Sequence, residues 1–312
     1  MLTLPAELEL TRDSRAAYRP YRASVVSITE ISPSFRRVTF TGPHFEHFAP
    51  HGLDQRIKLV FPSSSAEVAD IGADDEVAQR EGSWYSLWRD LPDHRRSPIR
   101  TFTVRGVRPS ARQLDVDFVV HGDGGPAAHW LSGASIGDEI VIVGPDARSE
   151  SSALGIDWRP GSARALLLAG DATAAPAICS ILESLPEGTR ARAFIEVPTI
   201  DDVLAVRSRA HIEVTWVTAD LGESVRDWTA SNSASFASAL ALTGQAIPEI
   251  DIDTEMLWES PKESSGNFYA WLAGESALIK DLRRLLVSEL GIDRSRVAFM
   301  GYWRRGRSEL QG

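Results

Sequence analysis

The chain has 312 residues, 43% of them apolar and 24% charged, and a formal net charge of −10 at pH 7. This composition is typical of a globular protein with one large domain or two ordinary ones. Nucleic-acid binding requires a basic face, so the acidic balance argues against a nucleic-acid partner. The sequence has no run of 18 apolar residues, and we therefore expect no membrane insertion.

The N-terminus and the cysteine content bear on the compartment. The first residues include Glu7, Glu9 and Asp13, and they lack the basic head and apolar core of a signal peptide. Cys179 is the only cysteine, which excludes an internal disulfide and a four-cysteine iron–sulfur cluster held by this chain alone. We therefore expect a cytoplasmic protein in a reducing compartment.

Short segments with a period of two fill the first half of the chain. Six of them are predicted to be strands: 24–31, 37–41, 55–61, 98–105, 114–120 and 139–143. Residues 63–83 are predicted to form an exposed acidic insert, and residues 84–92 a short helix that covers a barrel end. Six short strands before any long helix indicate a small antiparallel barrel.

From about residue 160 the pattern changes to alternating strands and helices. The segments 165–169, 191–197, 211–217, 268–273 and 297–302 are predicted strands, and 173–185, 201–207, 224–242 and 276–290 are predicted helices. Residues 248–265 read as an acidic loop. This alternation predicts a parallel sheet with helices on both faces, which is a doubly wound α/β domain.

Residues 98–130 contain the strongest candidate for a cofactor site. The first strand presents polar side chains on one face and apolar ones on the other, namely Thr101, Thr103 and Arg105 against Phe102 and Val104. Further on, Gly124 and Gly125 let a ligand approach the backbone, and Pro126 suits the first turn of a helix. The free N–H groups of such a helix favour a phosphate. The pattern predicts a cradle for a diphosphate and a flat ring, with an ordinary hairpin carrying a surface arginine as the alternative.

The order of several short motifs is more specific than any one of them. They are Arg100-x-Phe102-Thr103-x-Arg105, residues 117–122, Gly125-Pro126-Ala127 with Trp130, Gly170-Asp171-Ala172-Thr173, residues 271–275 and residues 301–306. This order resembles the siderophore-interacting protein family, the FAD-containing ferric-siderophore reductases of the ferredoxin-reductase-like superfamily. The resemblance implies an antiparallel six-stranded FAD barrel at 18–147. It also implies a doubly wound NAD(P)H domain at 160–306 whose C-terminal segment returns to the flavin.

The resemblance further implies which residues hold FAD. Arg100 would pair with the diphosphate, Phe102 would lie against the isoalloxazine, and Thr103 would bond to its polar edge. The family usually has Tyr at position 102, so this chain loses one hydroxyl hydrogen bond there. The other implied contacts of the barrel are Thr101, Arg105, Val119, His121, Gly124, Gly125, Pro126, Ala127 and Trp130. Core packing of Phe102 and a structural strand-end role for His121 are the alternatives.

A second group of implied contacts lies at the carboxyl ends of the later strands, where such folds bind ligands. Asp171 and Thr173 would flank the contact between nicotinamide and flavin, although Ala172 stands where the family has Glu. Thr173 as a plain helix N-cap is the alternative. Glu196 would bond a ribose 2′-hydroxyl and favour NADH, whereas the arginines at 207 and 209 leave NADPH open. The remaining implied contacts are Ala174, Gly274, Glu275, Tyr302 and Trp303.

A ferric chelate is bulky and often anionic, so its pocket needs local positive charge in this acidic chain. The residues predicted to supply that charge are Lys58, Arg148, Arg304 and Arg305, with solvated surface charges as the alternative. No set of metal ligands is predicted, because prolines at 43 and 50 interrupt the histidine-rich stretch between them. The iron would stay in its chelate.

The implied activity is electron transfer from NADH or NADPH through FAD to the Fe³⁺ of a siderophore, which releases Fe²⁺. No residue is predicted to act as a general acid or base. Two alternatives remain at this point. One is a flavin electron-transfer module that uses a protein partner such as a ferredoxin. The other is a siderophore-binding protein without turnover.

Overall fold

The computed structural model describes residues 11–63, 67–120, 125–245, 247–252, 255–262 and 264–306. Two β-sheets carry most of its regular structure. The first is antiparallel and belongs to the first half of the chain. The second is largely parallel, is flanked by helices, and belongs to the second half.

The first sheet has seven strands. They are β1 (Tyr18–Ser32), β2 (Phe35–Thr41), β3 (Arg56–Val60), β4 (Ile99–Thr103), β5 (Gly106–Arg108), β6 (Gln113–Val119) and β7 (Glu139–Pro145). Their order is β4-β3-β7-β1-β2-β6-β5, and within the described residues the edge strands β4 and β5 are not hydrogen-bonded to each other. The sheet is therefore a curled half-barrel of seven strands. The predicted count of six strands is wrong, because β5 is too short to show a period of two.

Two short helices cover the outer face of β3 and β7. They are α1 (Glu76–Glu81) and α2 (Trp84–Arg89), and the second agrees with a predicted helix. Trp88 and Ile71 are buried against this face of the sheet. The prediction that 63–83 is an exposed insert is wrong at Ile71, Ala73 and Ala78, which are buried, whereas most of the other described residues of this segment are exposed or half-buried.

The inner face of the half-barrel is filled by apolar side chains from alternate positions of its strands. Helix α3 (Gly125–Gly133) packs on this face through Trp130, whose ring centroid lies 5.4 Å from that of Phe61. A 3-10 turn at Phe45–His47 adds the buried ring of Phe45. These contacts fix the first turn of α3 relative to the strands.

The second sheet has six strands. They are β8 (Ala165–Gly170), β9 (Arg190–Glu196), β10 (His211–Val217), β11 (Trp258–Glu259), β12 (Phe268–Glu275) and β13 (Val297–Trp303), in the order β10-β9-β8-β12-β13-β11. All pairs are parallel except β11–β13 at the edge. The sequence predicts a parallel sheet and a loop at 248–265. Both predictions are wrong at β11, which is antiparallel and lies within that segment. Two residues are too few to show a period, so the sequence pattern does not indicate this strand. The chain leaves β8 in one direction and returns beside it at β12, so the topological switch point lies between β8 and β12.

Three helices flank this sheet on its two faces. Helix α4 (Ala175–Ser184) packs on one face, and α5 (Leu221–Ser231) and α6 (Ser276–Arg283) pack on the other. The doubly wound arrangement is as predicted. The helix expected at 201–207 is only a 3-10 turn at Ile200–Asp202. The helix expected at 224–242 ends at Ser231, where the Ser- and Asn-rich sequence offers side-chain partners to the backbone.

A buried carboxylate joins the two halves of the chain. The Asp202 carboxylate accepts 2.7 Å hydrogen bonds from the Ser32 hydroxyl and from the Ser34 backbone N–H, both at the β1–β2 turn. Thr199 donates its hydroxyl to the same carboxylate at 2.9 Å. Burial alone would raise the pKa of Asp202, but these hydrogen bonds outweigh it and hold the pKa below its usual range. The contact fixes the two sheets relative to each other at the β1–β2 turn.

Candidate functional site

Arg100 of β4 faces the first turn of α3. The Arg100 Nη2 lies 3.9 Å from the position that a Cβ on Gly125 would take, and Gly125 has a φ of +22°. The Nη1 of the same guanidinium donates to the Ile99 carbonyl at 2.7 Å, which holds it in place. The first N–H groups of a helix lack intrahelical partners. The guanidinium and the helix N-terminus therefore form one positive corner, next to the position that the resemblance implies for the diphosphate.

Phe102 lies at the margin of the inner core. Its ring centroid is 4.5 Å from that of Phe118 and 6.4 Å from that of Phe61, and the residue is half-buried. Trp130 packs on Phe118 at 5.8 Å, and Ala127 joins the same cluster. Trp130 and Ala127 thus anchor α3 to the sheet. Part of the Phe102 side chain packs in the core, and the rest is exposed beside Arg100.

Two of the other barrel residues predicted to contact the cofactor, Thr101 and Val119, have different surroundings. Thr101 accepts a 2.7 Å hydrogen bond from the Lys58 ammonium of the adjacent β3. Val119, at the end of β6, packs against the core of the second sheet. His121 and Gly124 lie outside the described residues.

The C-terminal end of β4 contacts the end of β13. Thr103 is buried, and its side chain lies beside the Tyr302 hydroxyl. The Tyr302 ring stacks on Trp258, with centroids 5.8 Å apart and an interplanar angle of 17°. Burial raises the pKa of Tyr302, so its hydroxyl stays protonated. The C-terminal segment is thereby held against the strand that carries Arg100 and Phe102.

Arg105 bridges the two halves of the chain. Its two terminal nitrogens donate to the Glu183 carboxylate of α4 at 2.9 and 2.8 Å, and its Nε lies 3.6 Å from Asp117. A planar guanidinium that already holds a carboxylate in this way has little left for a phosphate. We therefore propose no contact between Arg105 and the cofactor.

Asp171 organises the switch point between β8 and β12. It accepts hydrogen bonds from the Thr173 N–H and hydroxyl at 2.9 and 2.6 Å. It also accepts from the Glu275 N–H and the Trp303 indole, both at 2.7 Å. The alternative of Thr173 as the N-cap of α4 is wrong, because Ala174 holds that position and is buried. Asp171 thus connects the ends of three strands, and the indole that it holds is 38% exposed.

Gly274 packs directly on the Asp171 carboxylate. Its φ is +150°, and a Cβ there would lie 2.6 Å from Asp171 Oδ2. We expect Gly274→Ala to displace Asp171 and release the Trp303 indole. Stability should fall by about 1–3 kcal/mol, because strain and a lost buried hydrogen bond act together. Urea unfolding followed by tryptophan fluorescence measures this loss.

The matched control for Gly274→Ala is Gly133→Ala. Gly133 ends α3, and no heavy atom lies within 4 Å of the Cβ that this substitution would add. We expect the control to unfold at the wild-type urea concentration or slightly above it, because alanine favours a helix more than glycine does. A Gly274→Ala protein as stable as the wild type would contradict the tight packing at Asp171.

The C-terminal basic residues lie next to this switch point. Arg305 is exposed, and its backbone N–H donates to Glu275 at 3.3 Å. Glu275 also caps α6 by accepting from the Ala277 N–H at 2.7 Å. Arg304 donates to the Glu255 carbonyl at 3.3 Å. The backbone of this segment is therefore tied to the end of β12.

Arg148 lies on a different surface. Its Nε and Nη2 donate to the Asp146 carboxylate at 2.9 and 2.7 Å, just beyond β7. It lines a cavity whose described walls include no residue of β4. The structure therefore does not bring Arg148 together with Lys58, Arg304 and Arg305.

A buried carboxylate that sequence reasoning missed lies where the two sheets meet. Asp54 accepts hydrogen bonds from the Asp157 and Trp158 N–H groups at 3.0 and 3.2 Å, and from the Trp271 indole at 3.1 Å. Burial raises the pKa of Asp54 to about 6. Asp54 precedes β3 in a loop, and nothing in the local sequence indicates that it is buried.

Arg56 was also missed, although the sequence carries a signal for it. Its guanidinium lies 4.3 Å from the ring centroid of Trp258 and pairs with Asp157 at 3.0 Å. Arg56 is two residues before Lys58, so alternation along β3 places both on one face. Arg56 therefore extends the positive edge of β3 toward Tyr302, which stacks on the same Trp258.

Two family models cover most of the chain. Residues 24–149 match the siderophore-interacting FAD-binding domain, and residues 163–306 match the siderophore-interacting protein. The chain belongs to the siderophore-interacting protein family. The predicted resemblance is thereby confirmed, and the first half of the chain is the FAD-binding domain of this family.

Named relatives agree with this family. An uncharacterized protein of Mycobacterium tuberculosis is 33% identical over 301 residues, covering 94% of this chain and 93% of its own. The ferric vibriobactin reductase ViuB of Vibrio cholerae is 29% identical over 282 residues, covering 89% of this chain and 87% of its own.

Solved structures agree on the fold. The siderophore-interacting protein SipS of Aeromonas hydrophila is 28% identical, with a TM-score of 0.62 over 93% of this chain and 94% of its own. A ferredoxin NADP⁺ reductase of Neisseria gonorrhoeae with bound FAD and NADP, 12% identical, has a TM-score of 0.53 over 91% of this chain and 99% of its own. The fold is ferredoxin-reductase-like. Among the described residues, no helix has the length and apolar character needed to cross a bilayer.

Proposed function

We propose that this protein is an FAD-dependent ferric-siderophore reductase that takes its electrons from NADH or NADPH. The observation that carries the proposal is the corner formed by Arg100 and Gly125 beside the exposed part of Phe102. FAD fits this corner, because a side chain at position 125 would narrow the space toward Arg100 and glycine leaves it open. Membership of the siderophore-interacting family supports the proposal.

When bound, FAD supplies the redox chemistry, since it accepts electron pairs from a nicotinamide and passes single electrons to Fe³⁺. The residues of this chain bind and orient. Arg100 and the first N–H groups of α3 hold the diphosphate, and Phe102 offers its exposed surface to the flat ring. Thr103 is kept in place by Tyr302. No proton transfer by a protein side chain is required for this reaction.

The nicotinamide is proposed to bind at the switch point between β8 and β12. Ligands in such sheets lie beyond the carboxyl ends of the strands. Asp171 fixes Thr173, the Gly274–Glu275 backbone and the Trp303 indole there. Glu196 is a weaker candidate for the ribose than expected, because its carboxylate accepts the Leu221 N–H at 3.1 Å. We propose that residues 18–147 form the FAD domain and residues 160–306 the nicotinamide domain.

The substrate is proposed to be an anionic ferric siderophore that approaches along the edge of β3 and β4. A chain with a net charge of −10 repels such a substrate at long range, so local positive charge must oppose it. Lys58 and Arg56 on β3, together with Arg304 and Arg305, supply that charge next to the proposed flavin site. Reduction weakens the hold of the siderophore's oxygen donors on the metal, and Fe²⁺ leaves.

The test is anaerobic flavin absorbance of the purified protein. We expect a yellow protein that is bleached by NADH or NADPH and regains its colour when a ferric siderophore is added. The iron-free siderophore is the control and should restore no colour. A yellow protein that neither nicotinamide bleaches would favour a protein donor such as a ferredoxin. Bleaching without recovery would favour siderophore binding without turnover, and a colourless protein that takes up no FAD would contradict the proposal.

A further inference from the structure

The cavity that Arg148 lines has a volume of about 530 Å³ and lies at the edge of the first sheet. Over residues 18–22, β1 pairs only with β7, since its pairing with β2 begins at Ser24. The cavity lies at this open edge, between the turn Phe45–His47 and helix α1. Strands β7 and β3 separate β1 from β4. At about 4.8 Å per strand, the cavity wall on β1 is roughly 14 Å from β4 along the sheet.

Arg19 lines this cavity and is almost completely buried, with 3% of its surface exposed. Its Nε lies 3.5 Å from the Pro20 carbonyl, and its guanidinium lies 4.6 Å from the ring centroid of Tyr21. Within the part of the chain that the structure describes, no carboxylate pairs with it. An arginine remains charged at any physiological pH, so its burial cannot be relieved by loss of a proton. A bound anion would therefore offset the energetic cost of this buried positive charge.

The two aspartates that line the cavity, Asp74 and Asp146, are already engaged by other arginines. Asp146 is held by Arg148 through two hydrogen bonds of 2.9 and 2.7 Å and lies 3.8 Å from Arg15. Arg15 in turn is paired with Asp13 at 2.7 and 2.8 Å. Arg148 and Arg15 are thus partly neutralised by these ion pairs, whereas no carboxylate among the described residues forms an ion pair with Arg19.

Two further side chains shape the cavity. The His47 Nδ1 is buried and has no hydrogen-bond partner among the described residues. Arg80 of α1 lies at the mouth, with 62% of its side chain exposed. Glu76 and Glu81 also line the cavity, but both are exposed to water on α1. They favour a ligand that carries hydrogen-bond donors besides its anionic group.

We propose that this cavity binds a small molecule through a carboxylate or phosphate group, with Arg19 as the buried anchor. A guanidinium holds either oxyanion with two parallel hydrogen bonds. The cavity volume falls in the range of small-molecule sites. Arg148, expected from the sequence to contact the ferric chelate, belongs to this second site. The proposal stands independently of the flavin chemistry proposed above.

Calorimetric titration of the FAD-loaded protein with citrate and with inorganic phosphate, at low ionic strength, tests the proposal. We expect saturable binding of at least one of them, weakened about 10-fold or more in Arg19→Gln. Arg80→Gln should weaken it by about 3-fold, since its exposed charge contributes less. Arg190→Gln is the matched control: this exposed arginine begins β9 of the other sheet and should leave the affinity unchanged.

Binding of citrate alone would identify a carboxylate ligand, and binding of phosphate alone a phosphate ligand. Absence of saturable binding of both up to about 10 mM would overturn the proposal. So would equal affinities of the wild type and Arg19→Gln. If Arg19→Gln does not fold, Arg80→Gln decides instead, because its side chain is at the surface. An Arg80→Gln affinity equal to that of the wild type would then overturn the proposal.

Discussion

Arg100→Gln is expected to lower the affinity for FAD by about 10- to 100-fold, because a charge-assisted hydrogen bond contributes about 1.5–3 kcal/mol. The substitution keeps a polar side chain of similar length and removes the guanidinium that faces the start of α3. Titration of the FAD-free protein, followed by quenching of flavin fluorescence, measures the affinity. Loss of yellow colour on dialysis is the simpler readout.

Two further variants sharpen this prediction. Arg36→Gln alters an arginine of the same sheet that pairs with Glu30 at 2.9 Å, and it should bind FAD as the wild type does. Arg100→Lys should be intermediate, because a lysine keeps the charge and loses the planar fork. Wild-type affinity in Arg100→Gln would mean that the diphosphate lies elsewhere. Arg100 would then be a strand-end residue held by the Ile99 carbonyl.

Asp54→Asn is expected to change how the unfolding free energy depends on pH. Burial raises the pKa of Asp54 from 3.8 to about 6, so the folded protein binds more protons than the unfolded chain between these values. The contribution of Asp54 to stability is therefore largest below about pH 4 and falls as the pH rises to about 6. The total change is about 3 kcal/mol, and asparagine cannot titrate.

Urea unfolding of the wild type and of Asp54→Asn at several pH values measures this effect. The wild-type unfolding free energy minus that of the variant should be larger near pH 4 than near pH 7. A constant offset is expected as well, because an amide cannot accept from all three N–H donors around it. Trp271→Phe is the companion variant. It removes the indole N–H that lowers the pKa of Asp54, so the pH window should extend upward. A difference that stays flat with pH would contradict the buried carboxylate.

Local periodicity was sufficient for most of the fold. The strand at His211–Val217 has the same bounds in the sequence pattern and in the structure. The elements that were wrong are the two shortest strands, Gly106–Arg108 and Trp258–Glu259, and the helices that end early. Two or three residues cannot show a period, and a helix that ends in serines and asparagines stops for local reasons that apolar spacing does not report.

The diphosphate role of Arg100 came from the family resemblance and stays a prediction, whereas the arginine that alternation placed in the cradle was Arg105. The partners of charged side chains could not be predicted from the local sequence. Alternation placed Arg105 on the polar face of the predicted strand 98–105, but its partner Glu183 is 78 residues away. Asp54 and the Trp271 indole are separated by 217 residues.

The sequence alone therefore determined the two kinds of sheet and the order of most elements. All of these follow from backbone geometry and nearest neighbours. Only the tertiary structure decided which arginines are engaged by carboxylates, as Arg105 and Arg148 are, and which one, Arg19, is buried without a carboxylate. The physical reason is that an ion pair depends on which distant segments pack together, and local sequence does not specify that packing.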